Sequence, residues 1–518
     1  MSTATRIIKN TGFLYIKMAI SVFAVLYATR LVLASLGASD FGVFNIVGGA
    51  IAMLGFLNVT MASVTQRFMS FAEGKGNANE KRKVFNISFI LHLIVALISM
   101  IVLLIAMIPL FNGILNILPA RIIAAKIIYF SMVASTVFTI VNVPYDAVMN
   151  AHENMLYYSI IGILESCLKL LIAFITVYTV YDKLIIYGIL MASIPLITLS
   201  IMKIYCHRKY EECEYSLLEC WDWGLVKNMA SFYSWNFLTA ISWLLSSYGG
   251  GLVMNHFFGT VVNAAQGISN QVNGQLSSMS SNLIKAVNPV ITKRAGSNNI
   301  SSMNKITLAG SKYSTLLIVV FAVPFIVEMS FILKMWLRKV PEWTECFCCC
   351  QLVITIICQM AGSSATAIYA QGNIKWYTIY KSVMNISPVF VTFCAYAFGG
   401  APYWFYVFMI AIWAIGGDVV IVYYGNKLCG LTYRSFFVEV VKPVTFVVVS
   451  MLIGGFLVRL FLEEGIFRLV FCICVTSLLF ILSVWKVGMN LSERNSVVEL
   501  CSNKWHMVLS RFKNDALS

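Results

Sequence analysis

Fourteen apolar stretches follow one another along the chain. They run over residues 12–36, 41–66, 84–108, 124–145, 158–181, 184–206, 230–255, 262–288, 313–336, 346–370, 376–399, 402–424, 440–462 and 466–487. At ~1.5 Å per residue each is long enough to cross a hydrocarbon core of roughly 30 Å. In lipid only helices and closed barrels satisfy the backbone, and blocks of this length exceed a barrel strand. The pattern predicts an all-α polytopic membrane protein with about fourteen transmembrane helices.

The eighth block breaks the apolar rule along one edge. Asn263, Gln266, Asn270, Asn273, Ser277, Ser281, Lys285 and Asn288 recur at helical spacing. The stripe is about 37 Å long, a membrane's depth. A helix lying on the membrane surface would carry Lys and Arg along its polar face. This one has a single Lys at its end, so the stripe is expected to line a wet cavity. Polar packing between helices is compatible with that reading. The second block has a thinner polar set: Asn45, Asn58, Thr60, Ser63 and Gln66.

Composition and charge sharpen the picture. Hydrophobic residues make up 59% of the chain and charged ones 11%, against about 25% charged in a soluble domain. With the N-terminus in the cytoplasm, inward segments hold 24 of the 37 Lys and Arg and outward segments hold 8, a positive-inside bias. An even helix number returns the C-terminus, with Lys504, Arg511 and Lys513, to the cytoplasm. The net charge of +15 then faces anionic lipid and calls for no nucleic acid. The first block is too long, and lacks the small-residue pattern, for a cleavable signal peptide. The expected location is a bacterial cytoplasmic membrane, with both termini inside.

The largest inward loop, residues 207–228, divides six helices from eight. It predicts an N-terminal six-helix bundle (1–206), a cytoplasmic linker (207–228), a C-terminal six-helix bundle (229–424), and two extra helices with a tail (425–518). Sliding the second half back by 222 residues lays Gly259 on Gly37, Ile268 on Ile46, Leu276 on Leu54, Gly296 on Gly74 and Asn299 on Asn77. Parallel repeats of this kind place a cavity between them.

Several stretches are familiar. "LVLASLGASDFGVFNIVGGAIAMLGFLN" and "SVTQRFMSFAEGKGN" open the first half. "VNVPYDAVMNAHENMLYYSIIGILESCLKL", "NQVNGQLSSMSSNLIKAVNPVITK" and "AQGNIKWY" follow in order. Together they resemble the bacterial O-antigen and capsule repeat-unit flippases of the multidrug/oligosaccharidyl-lipid/polysaccharide exporter superfamily. The resemblance runs over nearly all of the chain and rests on the joint order of the stretches. It implies two six-helix bundles forming a V, followed by two C-terminal helices. It also implies an undecaprenyl-diphosphate-linked oligosaccharide as cargo, with a polysaccharide polymerase and a chain-length regulator as partners besides membrane lipids. No enzyme activity and no cofactor are expected.

A diphosphate needs cations, because burying an anion without partners is costly. The intramembrane cations are Lys17, Arg30, Lys169, Lys285 and Lys381. Lys17, Lys285 and Lys381 lie near the inner end, where snorkelling to headgroups is an equal reading. Arg30 precedes "LASLGASDF" and resembles the arginine that related flippases carry late in the first helix. Lys169 follows Glu165 by four residues, which fits either a neutralised pair or a proton-linked switch. Glu328 and Asp418 are further candidates for ion coupling, with Asp146 and Glu153 near the membrane and Asp40 read as a helix cap. The fourteen Cys lack the His and spacing of a metal site, and none is assigned. A cation-coupled drug exporter of the same fold, which predicts acidic residues in the first bundle's core, and a membrane polysaccharide polymerase, which predicts a sizeable outward loop with catalytic groups, are the competing readings. The first block has Lys17 and Arg30 and no carboxylate, and no sizeable outward loop is present.

The topology is testable by labelling in intact cells, after native outward cysteines are removed. A cysteine substituted at Asn298 stays shielded from a membrane-impermeant thiol reagent, and one at Glu342 is labelled. The reverse pattern would sink the map.

Overall fold

The computed structural model describes residues 3–52, 55–114, 119–216, 220–337, 340–490 and 493–495. The tail bearing Lys504, Arg511 and Lys513 lies outside them. Among the described residues the chain is helical throughout, with no strand. The first half comprises α1 (Thr3–Ala52), α2 (Gly55–Lys75), α3 (Ala78–Pro109), α4 (Ile122–Ala151), α5 (Met155–Tyr178) and α6 (Lys183–Lys209). The second comprises α7 (Trp223–Gly296), α8 (Ile300–Val327), α9 (Met329–Trp336), α10 (Thr344–Met360), α11 (Gly362–Gln371), α12 (Lys375–Ala397) and α13 (Trp404–Cys429). A closing hairpin, α14 (Tyr433–Phe461) and α15 (Ile466–Gly488), packs on α8.

Among the described residues ten helices are long and apolar enough to cross a membrane, and the pair α10 and α11, bent by 41°, adds an eleventh. Fourteen were expected. Of the other three blocks, 262–288 and 376–399 fold as helix but are too polar to qualify, while 41–66 is helical over its described residues, which do not run unbroken through it. Two of them are mates at the 222-residue offset. Helices this polar are held in a bilayer by protein and water rather than by lipid.

The offset itself has structural content. α1 breaks at Gly37 (φ 75°, ψ 169°) and α7 at Gly259 (φ 76°, ψ −168°). No atom lies within 4 Å of where a Cβ would stand on either residue, so the backbone conformation, not space, demands glycine. Asn77 caps α3, accepting from the amides of Asn79 and Glu80, and Asn299 caps α8, accepting from Ser302. Gly74 and Gly296 perform the third paired role: a Cβ on Gly74 would overlap the Lys293 carbonyl, and one on Gly296 the Phe71 carbonyl. The ends of α2 and α7 therefore cross backbone to backbone.

That crossing seals the two halves on the side where α1 begins, the basic side. Tyr15 Oη donates to the Met279 carbonyl at 2.6 Å, and Asn282 Nδ2 reaches Met18 Sδ at 3.1 Å. Lys293 Nζ stands 3.2 Å from Glu73. Burial alone would raise the Glu73 carboxyl, but Lys81 at 2.9 Å, with His152 and Lys293, holds it below the usual carboxylate range. One apolar core spans both halves here, joining Phe68, Met69 and Ala72 to Val287, Ile291 and Ala295. Towards the far side the cores separate. Val43, Val47 and Ile51 pack with Ile128 and Tyr129 in one half, and Met254 and Val262 pack with Tyr406 in the other. The molecule is closed on the basic side and parted on the far side.

Adding a methyl at a backbone crossing costs about 1–3 kcal/mol. Gly74→Ala and Gly296→Ala should each lower cross-linking by a short bifunctional thiol reagent between cysteines substituted at Tyr15 and Met279 several-fold, at unchanged membrane level. Cross-linking as efficient as with glycine would show that the crossing does not hold the seal.

Candidate functional site

The face of α7 that meets α1 at the seal can be followed upward. Ser278, Met279 and Asn282 touch or neighbour α1. One to three turns further, the same face presents Gly267, Gln271, Gly274 and Gln275, all exposed. α1 behaves alike: above Tyr15 and Met18 come Val22, Val25 and Thr29, also exposed. Exposed beyond the contact that joins α1 to α7, these two faces are the candidate walls of a cleft between the halves.

The expected polar stripe is divided by this geometry. Asn270 and Ser281 are exposed, and Ser277 is partly so. Gln266 is buried, Asn273 accepts from Thr355 Oγ1 at 2.5 Å, and Asn288 accepts from Thr366 Oγ1 at 2.9 Å. Thr355 and Thr366 belong to α10 and α11, so Asn273 and Asn288 tie α7 to its own half. The wet face is rotated by about one residue from the stripe read in sequence, and it includes Gln271, Gln275 and Asn282, which the stripe left out. The side chains of Asn263, Asn45 and Asn58 lie outside the described residues.

Two of the expected cations meet on the cleft floor. Lys17 Nζ stands 4.4 Å from the ring centroid of Tyr158, and Lys285 Nζ stands 3.8 Å from the same centroid. Lys285 also donates to Tyr158 Oη. Lys17 and Tyr158 belong to the first half and Lys285 to the second, so one ring joins two ammonium groups across the seam. A Cβ on Gly162 would overlap the Lys17 side chain, so glycine makes room for it. Asp146 lies within electrostatic reach of Lys285, Lys17 and Glu165. Cation–π attraction and this carboxylate offset the repulsion between the two lysines.

Above the floor, Tyr158, Gly162, Glu165 and Lys169 follow at spacings of four, three and four along α5, one helix face. Lys169 Nζ and Glu165 Oε1 are 2.7 Å apart, with side chains 32% and 42% exposed. The pair is intact and reaches the open space. Arg30 is exposed, and it stands apart from the floor. Its direction lies about 60° from Tyr15 and about 20° from Phe23 on the helix. Phe23, at 77% exposure, faces outward, so Arg30 sits at the rim between cleft and lipid.

The remaining candidates lie elsewhere. Lys381 sits against Gly417, beside Asp418, with its ammonium 6.0 Å from the Trp413 ring. Glu328 is fully buried and accepts from Arg468 of α15 at 2.8 Å. That pair, with Arg459 donating to the Val327 carbonyl, fastens the closing hairpin. Asp40, read as a cap, is inside the helix that follows Gly37, where it pairs with Arg121.

No protein-family model and no curated protein matches the chain. Solved structures do. A multidrug resistance MATE family transporter of the MOP superfamily in an outward-facing conformation superposes with a TM-score of 0.69, covering 82% of this chain and 96% of that one at 14% identity. A MATE structure in the bent conformation gives 0.71, with 83% and 96% covered at 14% identity. One in the straight conformation gives 0.69, with 82% and 96% covered at 13% identity. The chain is an all-α polytopic membrane protein with the fold of these MATE transporters.

Proposed function

We propose that this protein moves undecaprenyl-diphosphate-linked oligosaccharide repeat units from the inner to the outer leaflet of a bacterial cytoplasmic membrane. The carrying observation is the shared ring: Lys17 and Lys285, from opposite halves, converge on Tyr158 at the floor of a polar cleft. Two ammonium groups suit a diphosphate, and uncharged Gln, Asn and Ser walls suit a glycan. Arg30 at the lipid-facing rim suits a cargo whose polyprenyl tail stays in the bilayer. The basic side is the cytoplasmic one under the positive-inside rule. Alternating access then follows. Opening the basic side withdraws Lys285 from Tyr158, and closing it restores the pair and parts the far side.

A drug exporter is the competing reading, because the structural neighbours include a multidrug resistance transporter. It would use Glu165 and Asp146 for cation coupling. The two readings separate in a strain lacking its own flippase, with surface polysaccharide as the readout and protein level checked by blot. Restored polysaccharide supports the flippase; drug resistance without polysaccharide overturns it.

The same strain tests the walls. Gln271→Leu with Gln275→Leu should insert normally, since α7 becomes more apolar, and should export several-fold less per molecule. Asn273→Leu should instead lower the protein level, because Thr355 loses a bond worth about 0.5–1.5 kcal/mol. Equal effects on export per molecule would remove the cleft assignment.

Charge is the sharper test. Arg30→Ala and Lys285→Gln should each lose most export, and Arg30→Lys should keep part of it, because Lys holds phosphate as a point charge without the guanidinium fork. The joint change Lys169→Gln, Glu165→Gln asks whether that pair is structural: full export means it is, and loss places it with the cargo. Normal export from both Arg30→Ala and Lys285→Gln would move the cationic site elsewhere.

A further inference from the structure

We propose that a pocket at the basic end of the seam binds the phosphate headgroup of an anionic membrane lipid. The site is separate from the cleft and does not depend on the identity of the cargo. It is a cavity of about 420 Å³ with residues from both halves: Arg67 of α2, Asn228, Ser231 and Trp235 of α7, and Asn373 and Lys375 around the start of α12. Its lining contains two cations and no carboxylate.

Arg67 is the base of the pocket. Its guanidinium carbon lies 4.5 Å from the Phe68 ring centroid, 5.0 Å from Phe71 and 5.1 Å from Phe232. Nε donates to the Tyr369 carbonyl at 3.1 Å and Nη2 to the Ala370 carbonyl at 2.8 Å. Those bonds cap the end of α11, but they use only part of a five-donor group and supply no negative charge. Among the described residues no ion pair includes Arg67. A guanidinium held among three aromatic rings without a counter-charge favours an anion. Gly372 keeps the approach open. It has φ 88°, and a Cβ there would stand 2.8 Å from Nη2.

The location selects a lipid over a dissolved anion. Arg67 directly follows the apolar block 41–66, at headgroup level. Trp235 lines the pocket, and Trp376 beside it is 57% exposed with Lys375 Nζ 5.6 Å from its ring. Tryptophan and lysine together mark the membrane–water interface. A phosphodiester delivered from the bilayer would take the Arg67 fork and the Lys375 charge, with Asn228, Ser231 and Asn373 able to donate to its oxygens.

The test uses the full chain in phosphatidylcholine nanodiscs with and without phosphatidylglycerol. Lipid retained on release is counted by native mass spectrometry, and thermal unfolding is followed in parallel. Phosphatidylglycerol should be retained by the wild type and raise its melting temperature. Arg67→Lys and Lys375→Gln should each weaken retention about tenfold, about 1.4 kcal/mol, while Lys305→Gln, which removes the same charge from an exposed position on the same side, should not. Lys375 is exposed, so its variant folds even if Arg67→Lys does not. Equal loss from Lys375→Gln and Lys305→Gln would mean diffuse attraction to charge, and would overturn the site. Inorganic phosphate stabilising the protein in pure phosphatidylcholine as well as phosphatidylglycerol does would overturn the lipid source.

Discussion

Two glycines, 222 residues apart in sequence, let two helices touch through their backbones. Everything at the seam is arranged around that crossing of Gly74 on Lys293 and Gly296 on Phe71. It brings Glu73 to Lys293, sets Tyr15 under Met279, and places Lys285 over the Tyr158 ring. It also fixes what lies beyond. Helices that meet this closely at one end and carry polar faces at the other leave a wet space between them, since lipid cannot solvate those faces. The cleft is the consequence of a contact made at its floor.

The repeat explains why the contact is reciprocal. Gly37 and Gly259 break their helices with nearly the same backbone angles, and Asn77 and Asn299 cap the helices that follow the crossing. Few identities survive between the halves. Those that do sit where chemistry leaves little choice: a left-handed φ, a backbone crossing, a cap. Positions that merely need to be apolar have been free to change, because any side chain of suitable size fills a core.

This difference accounts for what could be read from the sequence. Length and apolarity gave the helices, and charge bias gave a consistent orientation. The break glycines, the crossing glycines and the caps were visible as repeat pairs. The polar stripe was legible only to within one residue. A hundred degrees of rotation separates Gln271 from Asn270, and spacing alone does not say whether an amide faces water or a threonine on the next helix. Asn273 and Asn288 look like cavity residues in sequence and act as struts, bound by Thr355 and Thr366. The extra hairpin gave the opposite lesson. Glu328 invited a transport role because it is an acid deep in an apolar block, and the partner that neutralises it, Arg468, is 140 residues later.

The meeting of Lys17 and Lys285 was beyond reach for a further reason: it joins residues 268 positions apart across the seam. Under alternating access as proposed, Lys17 stays with Tyr158 in its own half, and Lys285 arrives when the basic side closes. Under the proposed function the floor therefore changes charge with conformation. With the basic side open it carries one lysine beside Tyr158, with Asp146 close by. On closure a second positive charge enters a site that has just lost contact with cytoplasmic water, where repulsion is stronger. A bound diphosphate relieves that repulsion and an empty cleft does not. Cargo and closure are then linked by the differential stabilisation that any ligand-driven shift requires. The link needs no ATP site, only an anion that binds the closed floor better than the open one.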